Sequence, residues 1–178
     1  MLEKKIGFIG CGNMSKAIIG GLVAGGQVKA DQIWVYDHKS ETNQQMAQQY
    51  GLNPAQSAEE VAREADILFG AVKPNVILKV LKEVAGALNK ETLVVSIAAG
   101  VTLDALAGVL GHDRKIVRVM PNTPALVNEG MTSVTPNALV TPEETDEVLA
   151  IFNSFGKAET VPEYLIHAVV GVSGSAPA

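Results

Sequence analysis

Short apolar runs alternate with helical patterns along most of the chain. The runs that predict β-strands are rich in β-branched or aromatic residues and lie near Lys5–Ile9, Gln32–Asp37, Asp66–Val72, Thr92–Ile97 and Lys115–Met120, with a weaker one near Leu52–Ala55. Strands that alternate with helices are typical of βαβ units. The pattern therefore predicts an α/β fold around a mostly parallel sheet.

Helices are predicted between these strands. From Asn13 to Ala24 apolar residues recur at helical spacing, and we expect Gly20 and Gly21 to let this helix lie close to the sheet. Further helix starts are indicated by capping residues or by proline at a first helical position, at Ser57-Ala58-Glu59-Glu60, Lys73-Pro74 and Thr141-Pro142-Glu143-Glu144. The apolar face that follows Pro74 should cover the sheet.

Composition narrows the function classes. Of 178 residues, 47% are hydrophobic and the net charge is −5, which excludes a disordered chain. An acidic chain, with pI near 5.2, lacks the basic surface that nucleic-acid binding requires, so we expect no nucleic-acid partner. His38, His112 and His167 stand apart from other metal-binding side chains, so no metal site is expected.

The single cysteine bears on location. Cys11 has no partner for an internal disulfide, which is typical of a reducing compartment, and we expect a cytoplasmic protein. No uncharged apolar run reaches the roughly 18 residues of a membrane span, so no membrane association is expected. A small apolar role for Cys11 is favoured over a reactive one.

The strongest candidate site is Ile6-Gly7-Phe8-Ile9-Gly10-Cys11-Gly12-Asn13-Met14-Ser15, a strand that leads through Gly-x-Gly into a helix. In dinucleotide-binding folds the first glycine makes a tight turn, and the second lets the backbone approach the pyrophosphate at the helix N-terminus. Ser15 stands where a third glycine or alanine is usual, so the fingerprint is incomplete. The alternative is a plain tight turn.

A residue that recognises the adenosine ribose is expected at the end of the second strand, where Asp37 is followed by His38, Lys39 and Ser40. Asp37 suits a free 2′-hydroxyl, as in NADH, whereas Lys39 with its neighbours suits the 2′-phosphate of NADPH. A charged surface turn is the alternative for each residue.

Three other strand ends are unusual, and ligands bind at this edge of such sheets. They are Ala71-Val72-Lys73-Pro74, Ser96-Ile97-Ala98-Ala99-Gly100 and Met120-Pro121-Asn122-Thr123-Pro124-Ala125. The first could place a lysine near an anion, the second could let a flat ring lie against the backbone, and the third fixes two polar residues between prolines. The alternatives are a solvated lysine, ordinary tight packing and a rigid turn.

The sequence after Val161 no longer follows the alternation of strands and helices. We expect a dinucleotide-binding domain over residues 1–161 and the start of a second domain over residues 162–178, because the chain ends on a helix-start signal, Ser175 followed by Pro177. The chain is therefore expected to be part of a longer protein. Since no acid, base or nucleophile is identifiable, a non-catalytic nucleotide-sensing module is an alternative function.

Five motifs, in this order, resemble the pyrroline-5-carboxylate reductase family: Gly10-x-Gly12-Asn13-Met14, Ala71-Val72-Lys73-Pro74, Ser96-Ile97-Ala98-Ala99-Gly100-Val101, Met120-Pro121-Asn122-Thr123-Pro124-Ala125 and Ser173-Gly174-Ser175-x-Pro177-Ala178. The resemblance implies reduction of 1-pyrroline-5-carboxylate to L-proline, with NADPH preferred and NADH possible. It also implies a Rossmann-like domain followed by an all-helical domain that builds a homo-oligomer. Another Rossmann reductase, such as a deazaflavin-dependent NADP oxidoreductase, is the alternative.

The resemblance also assigns residues by motif. The pyrophosphate would be held by Ile9, Gly10, Cys11, Gly12, Asn13 and Met14, the adenosine ribose by Asp37 and Lys39, and the nicotinamide end by Ala71, Val72, Lys73, Pro74, Ile97, Ala98 and Ala99. Glu163 lies where the family crosses between domains and is a candidate substrate residue. Catalytic residues are expected in the helical domain, so none is assigned in this chain, which is expected to be inactive alone.

Overall fold

The computed structural model describes residues 2–127 and 129–174, with only the backbone of Thr123, Leu126, Ser173 and Gly174. The strands of this part of the chain are β1 (Ile6–Ile9), β2 (Ile33–Tyr36), β3 (Asn53–Pro54), β4 (Ile67–Gly70), β5 (Leu93–Ser96), β6 (Ile116–Met120), β7 (Gly130–Pro136) and β8 (Gly156–Thr160). They form one sheet in the order β3-β2-β1-β4-β5-β6-β7-β8.

The first six strands are parallel, β7 is antiparallel to β6, and β8 is parallel to β7. The prediction of a mostly parallel α/β sheet is confirmed. The chain builds outward from β1 to β3 and then returns to place β4 on the other side of β1. Ligands of such sheets bind in the crevice outside the carboxyl ends of the strands at this reversal.

Helices connect the strands: α1 (Asn13–Ala24), α2 (Ser40–Tyr50), α3 (Ala58–Glu64), α4 (Pro74–Val84), α5 (Leu103–Leu110), α6 (Pro142–Asn153) and the short α7 (Ile166–Val169), which continues as one π-helical turn over Val170–Gly174. The predicted bounds of α1 and the predicted starts of α3, α4 and α6 are confirmed. Thr141 and Glu144 form a reciprocal capping box, with N···O distances of 3.2 and 3.0 Å. Backbone N–H groups that would otherwise lack partners are thereby satisfied.

Two apolar layers enclose the sheet because alternate strand residues point to opposite faces. On one face Phe8 stacks on Phe69 with ring centroids 4.7 Å apart, and Phe152 of α6 meets Phe69 edge-on at 6.2 Å. On the other face Ile77 and Leu81 of α4 pack with the layer formed by α3, α4 and α5. The predicted helical cover of the sheet after Pro74 is confirmed.

The two glycines of α1 do not contact the sheet as predicted. A Cβ at Gly21 would collide with the ring of Phe155, which precedes β8, and one at Gly20 would meet the hydroxyl of Tyr50 in α2 at 3.4 Å. These glycines therefore allow close packing of α1 against neighbouring elements of its own layer.

Strands β7 and β8 were not predicted from the sequence. In β7 the side chains of Thr132, Ser133 and Thr135 are buried although they are polar, so the strand lacks an apolar run. In β8 both Lys157 and Glu159 are exposed, which suits a strand at the edge of a sheet. Tertiary contacts, and not hydrophobic periodicity, place these two strands.

Candidate dinucleotide-binding site

The loops after β1 and β4 touch at the carboxyl edge of the sheet. Gly10 has φ +101°, and a Cβ there would lie 2.5 Å from the backbone oxygen of Ala71. Glycine is therefore required both by its backbone conformation and by the close approach of the second loop. The Gly10 N–H donates to Tyr36 O at 2.8 Å, which also ties the loop to β2.

Gly12 leaves open space at the start of α1. It is the N-cap residue, it is exposed, and a Cβ there would meet no described atom within 4 Å. In the described residues no side chain caps this helix, and its first turn carries no acidic residue. The N-terminus of α1 can therefore receive an anion through its unpaired N–H groups and its positive dipole end.

Ser15 explains how the incomplete fingerprint still forms a closed loop. Its side chain is fully buried, and the hydroxyl donates to Gly10 O at 2.7 Å. A serine at this third position is small enough for close packing and also satisfies a carbonyl of the loop. The loop is thus fixed by the helix that follows it.

Asp37 is tied to the backbone on both sides. Its Oδ2 accepts from Cys11 N at 2.9 Å, and its Oδ1 accepts from Lys39 N at 3.0 Å. The side chain is only 13% exposed, and His38 Nδ1 lies 3.1 Å from Oδ1. The carboxylate therefore joins the end of β2 to the loop after β1.

Cys11 is buried beneath this loop at 2% exposure. Burial, with a further contribution from the Asp37 charge, raises the pKa of its thiol to about 12. A thiol of this kind stays neutral and is a poor nucleophile.

Lys39 is exposed at the N-cap of α2, between His38 and Ser40, which are also exposed. Within residues 2–127 and 129–174 no ion pair holds its ammonium group. Lys39 is thus free to turn toward an anion at the end of β2.

The segments after β4 and β5 lie side by side. Ala71 N donates to Ile9 O at 2.9 Å, and Ile97 N donates to Gly70 O at 3.3 Å. Ala98 is buried and Ala99 is exposed, whereas Lys73 is an exposed N-cap residue of α4. The structure therefore brings residues 71–74 and 97–99 to the same edge as the glycine loop.

The loop after β6 has a structural role. Asn122 is buried, and its Oδ1 accepts from Met131 N at 2.8 Å at the start of β7. This contact supports the alternative of a rigid turn for the segment between the two prolines.

Glu163 lies elsewhere, in the 3-10 turn before α7. Its Oε1 accepts from Arg118 Nη1 at 3.0 Å and from Leu103 N at 2.8 Å. The Arg118 side chain is 7% exposed and was not singled out from the sequence, although a charge inside the apolar strand Ile-Val-Arg-Val-Met is an available signal. Ser175 to Ala178, the end of the last motif, lie outside the described residues.

Among residues 2–127 and 129–174, no group of three His, Cys, Asp or Glu side chains could hold a metal ion. Within this part of the chain, no helix has the length and apolar character needed to cross a membrane.

Comparison with known proteins relates these loops to oxidoreductases. The family model described as NADP oxidoreductase, coenzyme F420-dependent, matches residues 5–100, more than half of the chain. Pyrroline-5-carboxylate reductase of Escherichia coli K12 is 66% identical over 177 residues, which are 99% of this chain and 66% of that protein. The chain thus spans just under two thirds of the length of this relative.

Solved structures agree over the whole chain. A pyrroline-5-carboxylate reductase of Coxiella burnetii matches with a TM-score of 0.94 and 33% identity over 99% of this chain and 66% of that one. The Plasmodium falciparum enzyme with NADP bound matches with a TM-score of 0.88 and 34% identity over 99% of this chain and 64% of that one. The chain therefore belongs to the family whose model is described as NADP oxidoreductase, coenzyme F420-dependent, and along its whole length it is similar to pyrroline-5-carboxylate reductases.

Proposed function

We propose that the protein containing this chain reduces 1-pyrroline-5-carboxylate to L-proline with NADPH, and that this chain holds the dinucleotide. The observation that carries the proposal is the crevice at β1 and β4, where Gly10 closes the turn against Ala71 and Gly12 leaves open space at the start of α1, in a chain similar throughout to pyrroline-5-carboxylate reductases. An oxidoreductase of this kind belongs to amino-acid biosynthesis in the cytoplasm.

The pyrophosphate would lie against the backbone from Ile9 to Met14. The N-terminus of α1 is uncapped by any described side chain, and Gly12 presents no Cβ toward the open space. Backbone N–H groups at a helix start are well suited to bind phosphate oxygens. Cys11 contributes its backbone N–H to Asp37 and its side chain to the core beneath the loop.

The ribose end favours NADPH over NADH. Each Asp37 oxygen already accepts one backbone N–H, and the side chain is only 13% exposed, which makes this carboxylate less available to a free 2′-hydroxyl. Lys39 is exposed beside it and can pair with a 2′-phosphate. The NADP bound to the Plasmodium falciparum relative supports this preference. NADH would bind more weakly.

The nicotinamide end would be lined by residues 71–74 and 97–99. When bound, NADPH supplies the hydride, and the protein contributes positioning and electrostatics. Ala71, Ala98 and Ala99 have small side chains, so a flat ring could lie close to the backbone at the strand ends. Productive transfer needs the reacting atoms within about 3 to 3.5 Å of each other. Lys73 places a positive charge near the same edge.

Dinucleotide binding and substrate binding are assigned to two different regions of the protein. Residues 1–161 would form the dinucleotide-binding domain, and residues 162–178 would begin a helical domain that binds the substrate carboxylate and builds a homo-oligomer. The 178-residue chain alone would then bind dinucleotide without turning over the imine, because lost positioning can cost about 7 to 11 kcal/mol of barrier.

The complete gene product that contains this sequence provides the test. We expect oxidation of NADPH only when 1-pyrroline-5-carboxylate is added, and no such turnover would overturn the proposal. A parallel reaction with a reduced deazaflavin and NADP⁺ tests the activity that the name of the family model suggests. The 178-residue chain, assayed beside it, should bind NADPH by fluorescence and show no turnover. Turnover comparable to that of the complete protein would contradict the assignment of substrate binding to the helical domain.

A further inference from the structure

Glu163 links two regions that the proposed function separates. We propose that Glu163 is a positioning residue, which sets the C-terminal segment (residues 163–174) against the loop at residues 97–101 by binding Arg118 and Leu103 N through one carboxylate oxygen. The inference rests on the proposed function, since that loop is assigned to the nicotinamide end. It also replaces the expectation that Glu163 contacts the substrate.

Arg118 requires a partner at this point. Its side chain is 7% exposed on β6, and the guanidinium donates to Glu163 Oε1 at 3.0 Å. A buried charge without a counterion is strongly unfavourable. The guanidinium therefore holds the Glu163 carboxylate over the sheet, although Glu163 itself remains 34% exposed.

The same carboxylate oxygen binds the start of α5. Leu103 is the first residue of this helix, and its N–H donates to Glu163 Oε1 at 2.8 Å. The side chain of Thr102, the N-cap residue, accepts a hydrogen bond from Ala105 N, so it does not bind Leu103 N. Glu163 thus completes the cap from a distant part of the chain, and its negative charge suits the positive end of the helix.

Both ends of the loop at residues 97–101 are consequently fixed. At the β5 end, Ile97 N donates to Gly70 O at 3.3 Å, and at the α5 end Leu103 is held by Glu163. Between them Gly100 has φ +78°. A shift of Glu163 would therefore move the end of the loop nearest α5.

The C-terminal segment borders open space on one side. It leaves the sheet at Val161, whose N–H donates to Val134 O at 2.9 Å. Beyond this point it borders an apolar cleft of about 460 Å³, lined by Met131, Ser133, Val161, Leu165, Val169 and Val172. The cleft leaves that side of the segment open, so the contacts of Glu163 and the burial of Ile166 on the other side contribute to its placement.

Three variants of the complete protein test this role. Glu163→Ala removes both contacts, and Glu163→Gln keeps an oxygen for Leu103 N. Glu159→Gln is the matched control, because Glu159 is an exposed residue of β8 that borders the same cleft, whereas the two contacts to Arg118 and Leu103 N are made by Glu163. The measurements are steady-state kinetics with the imine, NADPH affinity by fluorescence, and hydrogen exchange of the peptide that contains Leu103.

For Glu163→Ala we expect kcat to fall about tenfold, with NADPH affinity within about twofold of wild type, because misplacement lowers the fraction of productive encounters. Exchange at Leu103 should accelerate about tenfold, since the amide loses its acceptor. Glu163→Gln should recover most of kcat, and Glu159→Gln should behave as wild type.

Opposite results would overturn the inference. A rise confined to the KM for the imine, equal in both Glu163 variants, would indicate a substrate contact instead. Wild-type kcat and unchanged exchange in Glu163→Ala would show that the contact positions nothing. If wild-type protein does not reduce the imine, the proposed function fails, and exchange at Leu103 still decides whether Glu163 holds the helix.

Discussion

The Asp37 carboxylate accepts a hydrogen bond from the Cys11 backbone N–H at 2.9 Å, across the gap between the end of β2 and the loop after β1. Its second oxygen is bound to Lys39 N. One side chain therefore supports both the glycine loop after β1 and the turn that carries Lys39, and a change at Asp37 should affect any dinucleotide that uses this loop.

Replacing Asp37 tests this support directly. Asp37→Ala should weaken NADPH and NADH by similar factors, about tenfold each, because the loop loses a charge-assisted hydrogen bond. Titration calorimetry with both dinucleotides measures the effect, and Asp146→Ala on the exposed face of α6 is the control. A loss confined to NADH would mean that Asp37 reads the ribose hydroxyl.

Gly12→Val should abolish dinucleotide binding while the protein remains folded. A Cβ at Gly12 meets no described atom within 4 Å, so the added side chain would not collide with the protein. It would instead fill the space proposed for the pyrophosphate. Calorimetric titration and thermal unfolding separate the two effects. Gly10→Ala is the contrasting variant and should lose stability, because its Cβ would lie 2.5 Å from Ala71 O. Unchanged NADPH affinity in Gly12→Val would exclude this loop as the binding site.

Lys39→Ala should weaken NADPH about tenfold and NADH less than about twofold, since a phosphate loses its charged partner only in NADPH. Raised salt should narrow the difference, because exposed charges are screened. Lys90→Ala, another exposed lysine, controls for net charge. Equal weakening of both dinucleotides would remove Lys39 from the ribose end.

Cys11 should resist alkylation in the folded protein and react readily after unfolding. Burial and the nearby Asp37 charge raise the pKa of its thiol from 9.0 to about 12. Above pH 9.0 the unfolded chain loses this proton first, so folding stability should fall as pH rises from 9.0 toward 12. The loss should be smaller in Cys11→Ala. Denaturant unfolding of both proteins across this range measures the difference, and parallel curves would contradict it.

Local signals in the sequence predicted much of the fold. Strands β1, β4, β5 and β6 were predicted because strands buried on both faces have continuous apolar runs. Strand β2, which is half-buried on one face, was predicted from its β-branched and aromatic residues. The capping residues Ser57 and Thr141 predicted helix starts because each satisfies N–H groups within its own first turn. The strand, the glycine loop and the bounds of α1 were predicted together from periodicity and the Gly-x-Gly pattern, and the dinucleotide site there remains a proposal.

Other features depend on residues that meet only in the folded chain. Ser133 and Thr135 are buried in β7 by neighbouring strands, so their polarity concealed the strand. Arg118 and Glu163 are 45 residues apart in sequence, and their ion pair arises because the turn before α7 lies over β6. The sequence alone determined the parallel sheet and the glycine loop after β1, since these follow from periodicity and glycine placement. Only the tertiary structure decided that Asp37 supports the loop and that Glu163 holds α5, because a side chain's partner depends on which distant backbone groups the fold brings to it.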